Sequence, residues 1–211
     1  MGKITKLEVQ KNNKQKVNLF IDDEFYSRVY LDTCVKYGLK VGKEIEEEKL
    51  KQIIAASEKE LALNFVAKYV TNALKTKKQV RDYLKKKEFD TDIIEYVIDK
   101  LIEYKYIDDI NYIKSYINTY SSKFGQNKII QNLKQKGISQ KDIDDYFNEN
   151  EIEDEYNKCY ACLIKKAKNM ELNEKNTQKC IRFLASRGFS YDDIKTAINT
   201  LKQGEKYGNW D

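Results

Sequence analysis

Apolar positions follow two different rhythms along this chain. Over the first thirty residues they come in short alternating or β-branched runs. Ile4-Thr5-Lys6-Leu7-Glu8-Val9 alternates, Lys11-Asn12-Asn13-Lys14 is a polar turn, and Val17-Asn18-Leu19-Phe20-Ile21 follows. Asp22-Asp23-Glu24 is a second turn, and Phe25-Tyr26-Ser27-Arg28-Val29 a third run. Such runs between polar turns predict a small antiparallel meander. A short helix is expected over Leu31 to Tyr37, ended by Gly38, with Leu39-Lys40-Val41-Gly42 as a connecting loop. Helical spacing resumes from Ile45 to Ala56.

From about residue 60 the pattern is helical throughout, and it repeats. Leu84-Lys85-Lys86-Lys87-Glu88-Phe89 aligns without gaps on Leu133-Lys134-Gln135-Lys136-Gly137-Ile138 and on Leu184-Ala185-Ser186-Arg187-Gly188-Phe189. The offsets are 133 − 84 = 49 and 184 − 133 = 51, a period close to fifty residues. In each copy the Leu closes an apolar helix face, with Val80, Ile129 or Cys180 one turn earlier. The basic residue three positions on (Lys87, Lys136, Arg187) lies at the negative end of the helix dipole. Gly137 and Gly188 are placed to end the helix in a left-handed cap, with Glu88 as the exception. Ser139 and Ser190, each followed three residues later by Asp, are N-caps for the next helix, and Asp90 or Thr91 serves the first copy.

Opening helices are expected at Leu61–Ala73, Ile110–Tyr120 and Tyr156–Lys168, and closing helices near Asp92–Tyr104, Ile143–Asn148 and Asp193–Leu201. The fold expected is mainly α: a β-strand and short-helix segment over 1–60, three-helix repeats over 61–108, 109–151 and 152–203, and a loose tail over 204–211. A three-helix unit this small buries too little surface alone, so neighbours must stack into an elongated, curved array.

Charge refines this picture. Residues 1–60 carry 12 basic and 11 acidic groups, 61–125 carry 12 and 9, 126–157 carry 4 and 8, and 158–211 carry 11 and 6. In these windows the middle is acidic and the flanks are basic, which suits a partner presenting both signs better than bare duplex DNA. No stretch approaches the length of a membrane span and no leader pattern opens the chain, so a cytoplasmic protein is expected.

The residue inventory narrows the chemistry. Histidine is absent, which removes Ser-His-Asp and Cys-His catalysis and the commonest metal ligand. The eight glycines form no phosphate-binding loop. The acidic pairs Asp22-Asp23, Asp108-Asp109, Asp144-Asp145 and Asp192-Asp193 each lie at a turn, by a helix start or on a polar face. Cys159-Tyr160-Ala161-Cys162 is a lone CxxC; with only Cys34 and Cys180 besides, it reads as core packing rather than a zinc or redox site. No catalytic residue, metal or cofactor is expected.

Basic clusters are the stronger signal. Lys77, Arg81 and Lys85 lie four apart on one helical face, with Lys78 and Lys86 beside them, and Lys165, Lys166, Lys168, Lys179, Arg182 and Arg187 gather in the third repeat. With tyrosines such as Tyr83, Tyr160 and Tyr191 interleaved, these are the candidate contacts to a partner or to DNA phosphates; the alternative is a solvated face.

Taken in order, these motifs resemble one family. Lys36-Tyr37-Gly38-Leu39, Leu84-Lys85-Lys86-Lys87 and Tyr106-Ile107-Asp108-Asp109 are similar to the RecX proteins. So are Gly125 with Ile129, Leu133 and Lys136-Gly137-Ile138, and Leu184-Ala185-Ser186-Arg187-Gly188-Phe189. Glu88 stands where the family usually has its cap glycine, and Ser186 where it usually has the first of two arginines. The resemblance implies three stacked three-helix units lying in the groove of a RecA–DNA filament. It further implies a regulator of recombination and DNA repair, acting on ATP hydrolysis and strand exchange; a curved array with a groove to fill is expected to work as a monomer. Two other readings stand beside it: a sequence-independent module for single- or double-stranded DNA that competes for DNA, and an adaptor for another helical protein. The acidic run at 142–155 weighs against the first of these.

Overall fold

The computed structural model describes residues 1–150 and 154–207. Among these residues the order is β1 (Gly2–Val9), β2 (Lys16–Ile21), β3 (Glu24–Tyr30), α1 (Leu31–Tyr37), β4 (Glu44–Ile45) and α2 (Glu47–Thr71). Then follow α3 (Lys77–Lys86), α4 (Thr91–Glu103), α5 (Asp109–Tyr120), α6 (Gln126–Gln135), α7 (Gln140–Glu149), α8 (Glu155–Ala167), α9 (Glu174–Ser186) and α10 (Tyr191–Tyr207). The chain divides into two compact units. Met1–Ala73 with Val80–Tyr106 form the first, and Leu74–Gln79 group with the residues from Ile107 onward in the second.

In the first unit the expected meander forms, and a fourth strand joins it. The sheet order is β3-β2-β1-β4, with β4 antiparallel to β1 through Gly2↔Ile45 and Lys3↔Glu44. Ile45, expected at a helix start, is therefore strand together with Glu44, and the helix begins two residues later. Asp22 and Asp23 turn β2 into β3 with φ of 49° and 69°, the left-handed pair that a two-residue hairpin of correct twist requires. Ile4, Val17, Leu19 and Val29 form the buried face of the sheet, against Cys34, Leu39, Ile45, Leu50 and Ile54.

The expected break between two helices near residue 60 is absent. The helix α2 runs unbroken for 25 residues, because Ser57-Glu58-Lys59-Glu60 contains neither Gly nor Pro and Ser57 is turned inward. Its hydroxyl meets Thr33 Oγ1 at 2.6 Å, so this polar residue is a satisfied core contact. The loose tail expected from 204 is likewise helical through Tyr207; residues 208–211 lie outside the described residues.

Three helix ends share one hydrogen-bond pattern. The amides of Glu88, Gly137 and Gly188 donate to the carbonyls of Lys85, Lys134 and Ala185, each at 2.9 Å. The following amides of Phe89, Ile138 and Phe189 reach back to Leu84, Leu133 and Leu184 at 3.3, 3.1 and 3.4 Å. All three cap residues have positive φ, 62° at Glu88, 86° at Gly137 and 84° at Gly188. The repeat is thus conformationally exact even where a glycine is missing.

Stacking between repeats in the second unit uses the same parts twice. The carboxylate of Asp109, first residue of α5, accepts from the amide of Lys77 at 3.1 Å, and that of Glu155, first residue of α8, accepts from the amide of Gln126 at 3.0 Å. Each opening helix thereby caps the N-terminus of the middle helix before it. The C-cap carbonyl of Lys136 accepts from Thr76 Oγ1 at 2.7 Å, and that of Arg187 from the amide of Gly125 at 2.9 Å. A Cβ at Gly137 would collide with the side chain of Lys78, and one at Gly188 with the backbone of Lys128. Both glycines are needed for close approach as well as for positive φ.

Candidate partner-binding surface

The eleven basic residues singled out by sequence do not behave alike. On the α3 segment of the first unit, Arg81 is committed internally: Nε and Nη2 donate to the two carboxylate oxygens of Glu95 at 2.7 and 2.8 Å. The guanidinium holds the Glu95 carboxyl below its usual range. Lys85 and Lys86, further along α3, are exposed. In the second unit, the backbone amide of Lys77 is bound by Asp109, and Lys78 lies over Gly137 with Nζ donating to the carbonyl of Gln135 at 3.2 Å. Both residues therefore build the stack of repeats.

In the third repeat, Arg187 is also internal. Its Nη1 donates to the carbonyl of Lys123 at 2.7 Å, and its guanidinium lies 4.4 Å from the Phe183 ring centre and 5.9 Å from that of Phe124. Lys166 lies over the same ring, 5.3 Å from the centre of Phe183. Lys165, Lys168, Lys179 and Arg182 are exposed, and Lys179 donates to the side-chain oxygen of Asn176 at 3.2 Å. Lys165 also lines a shallow groove of about 440 Å³ with Ser122, Asp154, Asn157, Lys158 and Ala161.

A recurrent feature escaped the sequence reading. The cation at each middle-helix C-cap lies over rings of its own unit: Lys87 over Phe65 and Tyr83 at 5.6 and 5.9 Å, Lys136 over Tyr116 at 5.8 Å, and Arg187 over Phe183 and Phe124. Their sequence position indicated only a favourable helix dipole. Tyr83 and Phe183 lie one turn before Lys87 and Arg187, whereas Phe65, Tyr116 and Phe124 come from elsewhere in the chain, so those contacts are invisible to local pattern.

The acidic pairs serve local structure. Asp108 accepts from the amides of Ile110 and Asn111, Asp109 caps α3, and the Asp193 carboxylate accepts from the hydroxyl of Ser190, whose oxygen caps α10 by accepting from the Asp193 amide. No cluster of three His, Cys, Asp or Glu side chains suited to a metal occurs among the described residues. The four thiols are free and buried, Cys159, Cys162 and Cys180 together in the core of the third repeat with Leu163, Leu184 and Phe189. Burial pushes the Cys159 thiol up to about 12, far from the range of a reactive thiolate. No helix among the described residues is long and apolar enough to cross a membrane.

Comparison with known proteins matches this architecture piece by piece. The N-terminal domain of regulatory protein RecX matches residues 2–46, and the first, second and third RecX three-helix domains match residues 59–101, 108–146 and 153–198. This chain belongs to the RecX family. The regulatory protein RecX of Clostridium tetani (strain Massachusetts / E88) is 37% identical over 205 residues, covering 95% of each chain. That of Clostridioides difficile (strain 630) is 33% identical over 211 residues, covering 98% of this chain and 99% of the relative. A crystal structure of regulatory protein RecX superposes with a TM-score of 0.64 at 25% identity, over 94% of this chain and all of the other. The crystal structure of RecX from Lactobacillus salivarius gives 0.60 at 28% identity, over 70% of this chain and 99% of that one. The RecX-family relatives are named as regulatory proteins.

Proposed function

We propose that this RecX-family protein regulates homologous recombination and DNA repair by binding in the groove of the RecA–DNA filament, where it lowers ATP hydrolysis and strand exchange. Full-length membership of a family of regulatory proteins carries the reading. The surface chemistry supports it. Lys85 and Lys86 on α3, Lys165 on α8, Lys168 just past its end, and Lys179 and Arg182 on α9 are exposed cations able to meet phosphates or acidic protein surface. Lys77, Lys78, Arg81, Lys166 and Arg187 contribute by holding the helices that carry them. The protein acts as a monomer in the cytoplasm, with the filament groove as its partner surface.

Recombinase ATPase on single-stranded DNA tests this directly, with the protein titrated below the DNA's capacity across a salt series. Inhibition at or below one protein per recombinase, persisting at moderate salt, is the expected result. Inhibition that required saturation of the DNA and vanished with salt would replace filament binding by competition for DNA.

A further inference from the structure

Asp90 holds the N-cap position of α4, yet its side chain makes no cap hydrogen bond. Asp108, Ser139 and Asn173 cap α5, α7 and α9 with theirs. The Asp90 carboxylate instead lines a cavity of about 350 Å³ walled by β3, α2 and the α3–α4 turn, all within the first unit. Glu58 of α2 lines the same cavity and is half-buried. Among the described residues neither carboxylate has a hydrogen-bond or ion-pair partner. Burial pushes the Glu58 carboxyl up, and the charge of Asp90 pushes it the same way, with Lys16 opposing.

The two cations of this cavity serve a third acid. Lys16 donates to the Glu88 carboxylate at 3.0 Å, and the charge of Arg28 also holds that carboxyl down. Glu58, Glu88 and Asp90 against Lys16 and Arg28 leave the cavity one positive charge short. Its β3 wall is aromatic. Phe25 is 55% exposed, and its ring meets Phe20 edge-on with centres 5.8 Å apart. Tyr26 is the extra residue of a bulge, since Ser27 pairs with Leu19 and Phe25 with Phe20. Its hydroxyl is buried without a hydrogen-bond partner among the described residues.

We propose that this cavity receives an arginine side chain from a protein partner, its guanidinium bridging Glu58 and Asp90 and stacking on Phe25. One cation balances the charge of the cavity. A planar guanidinium serves two carboxylates through its fork and lies flat on a ring, whereas an ammonium is a point charge without that fork. Nucleic acid is the wrong occupant, because its phosphates would add to the uncompensated negative charge. The free hydroxyl of Tyr26 gives the segment that carries the arginine a further polar anchor. The site requires neither DNA nor a recombinase as bearer of the arginine, so it stands apart from the filament reading.

Titration of the isotope-labelled full chain with the peptide acetyl-Gly-Arg-Gly-amide, followed by backbone amide NMR shifts, tests it. The citrulline analogue, equal in shape and uncharged, and spermidine serve as comparators. The arginine peptide should give saturable shifts at Phe25, Glu58 and Asp90, and bind about tenfold more tightly than either comparator. The double variant Glu58→Gln/Asp90→Asn should weaken that binding about tenfold. Glu58→Gln removes a half-buried charge, so its Tm at pH 7 should equal or exceed that of wild type, which separates lost binding from lost folding. Shifts that are absent or do not saturate at these positions, equal affinity for the citrulline peptide, tighter binding of spermidine, or an unaffected double variant would each overturn the proposal. Any of these leaves the filament reading intact, because that is scored by ATPase inhibition.

Discussion

The ammonium of Lys16 donates to both the carboxylate and the backbone carbonyl of Glu88, at 3.0 and 3.3 Å. Glu88 occupies the cap position that Gly137 and Gly188 occupy in the later repeats, and holds the same left-handed backbone at φ 62°. The two glycines are forced by a preceding helix that leaves no room for a Cβ. In the first repeat the cap meets a strand instead, and a buried lysine of β2 replaces steric necessity with a charge-assisted bond.

This pairing makes a pH prediction. Hydrogen bonding to Lys16 holds the Glu88 carboxyl below its ordinary value. A depressed carboxylate contributes stability that is present above the unfolded value near 4.3 and lost as pH falls through the folded one. Lys16→Met should lower Tm by a few degrees at pH 7. Between about pH 5 and pH 3 it should lose less further stability than wild type. Parallel Tm–pH curves for the two proteins would contradict this.

The cap glycines should differ in cost. An added methyl at Gly188 meets backbone atoms of Lys128, whereas at Gly137 it meets the flexible side chain of Lys78. Both substitutions carry the left-handed penalty of about 1 kcal/mol. Gly188→Ala should therefore cost roughly 1–3 kcal/mol more than Gly137→Ala, the overpacking range, in urea unfolding.

Asp109 separates hydrogen bonding from charge. Burial pushes its carboxyl up, while the amide of Lys77 pulls it down less strongly. A raised carboxyl penalises the ionised form, so its cost to stability appears as pH rises from the ordinary value through the folded one. Asp109→Asn keeps an acceptor for Lys77 and should be as stable as wild type or more so at pH 7. Asp109→Ala uncaps α3 and should lose about 1 kcal/mol. Unfolding at pH 4 and pH 7 for both variants distinguishes the two contributions.

Thiol chemistry reports on opening of the core. With Cys34, Cys159, Cys162 and Cys180 buried, and burial pushing each thiol up, an aromatic disulfide reagent should react at pH 8 only through unfolding. All four should titrate rapidly in denaturant. Rapid native labelling of one thiol would reveal a local opening in its helix.

Within the first basic cluster, charge and structure should dissociate. Arg81→Ala strands Glu95 and should lower Tm, by about the modest amount expected of a part-exposed pair. Lys85→Glu/Lys86→Glu should leave Tm within about 1 °C and weaken filament affinity severalfold, more so at low salt. Filament affinity unchanged by the lysine reversals would make that face ordinary solvated surface.

Sequence alone determined the features whose causes are local. A cap bond spans a few residues, so Ser139 and Ser190 as N-caps, and Gly38, Gly137 and Gly188 as left-handed stops, are legible from type and spacing. Alternation gave away the β1–β3 meander, and the fifty-residue period the three repeats. Only tertiary structure decided what these parts meet. The helices expected over Ile45–Ala56 and Leu61–Ala73 are one continuous α2, with Ser57 satisfied by Thr33 between them. Arg81, Lys78 and Arg187 looked like free cations until Glu95, the α6 cap and the rings of Phe183 and Phe124 engaged them. Apart from Phe183, one turn before Arg187, those partners lie 14 to 63 residues away in sequence, and no local rhythm encodes a contact closed by the packing of separate helices.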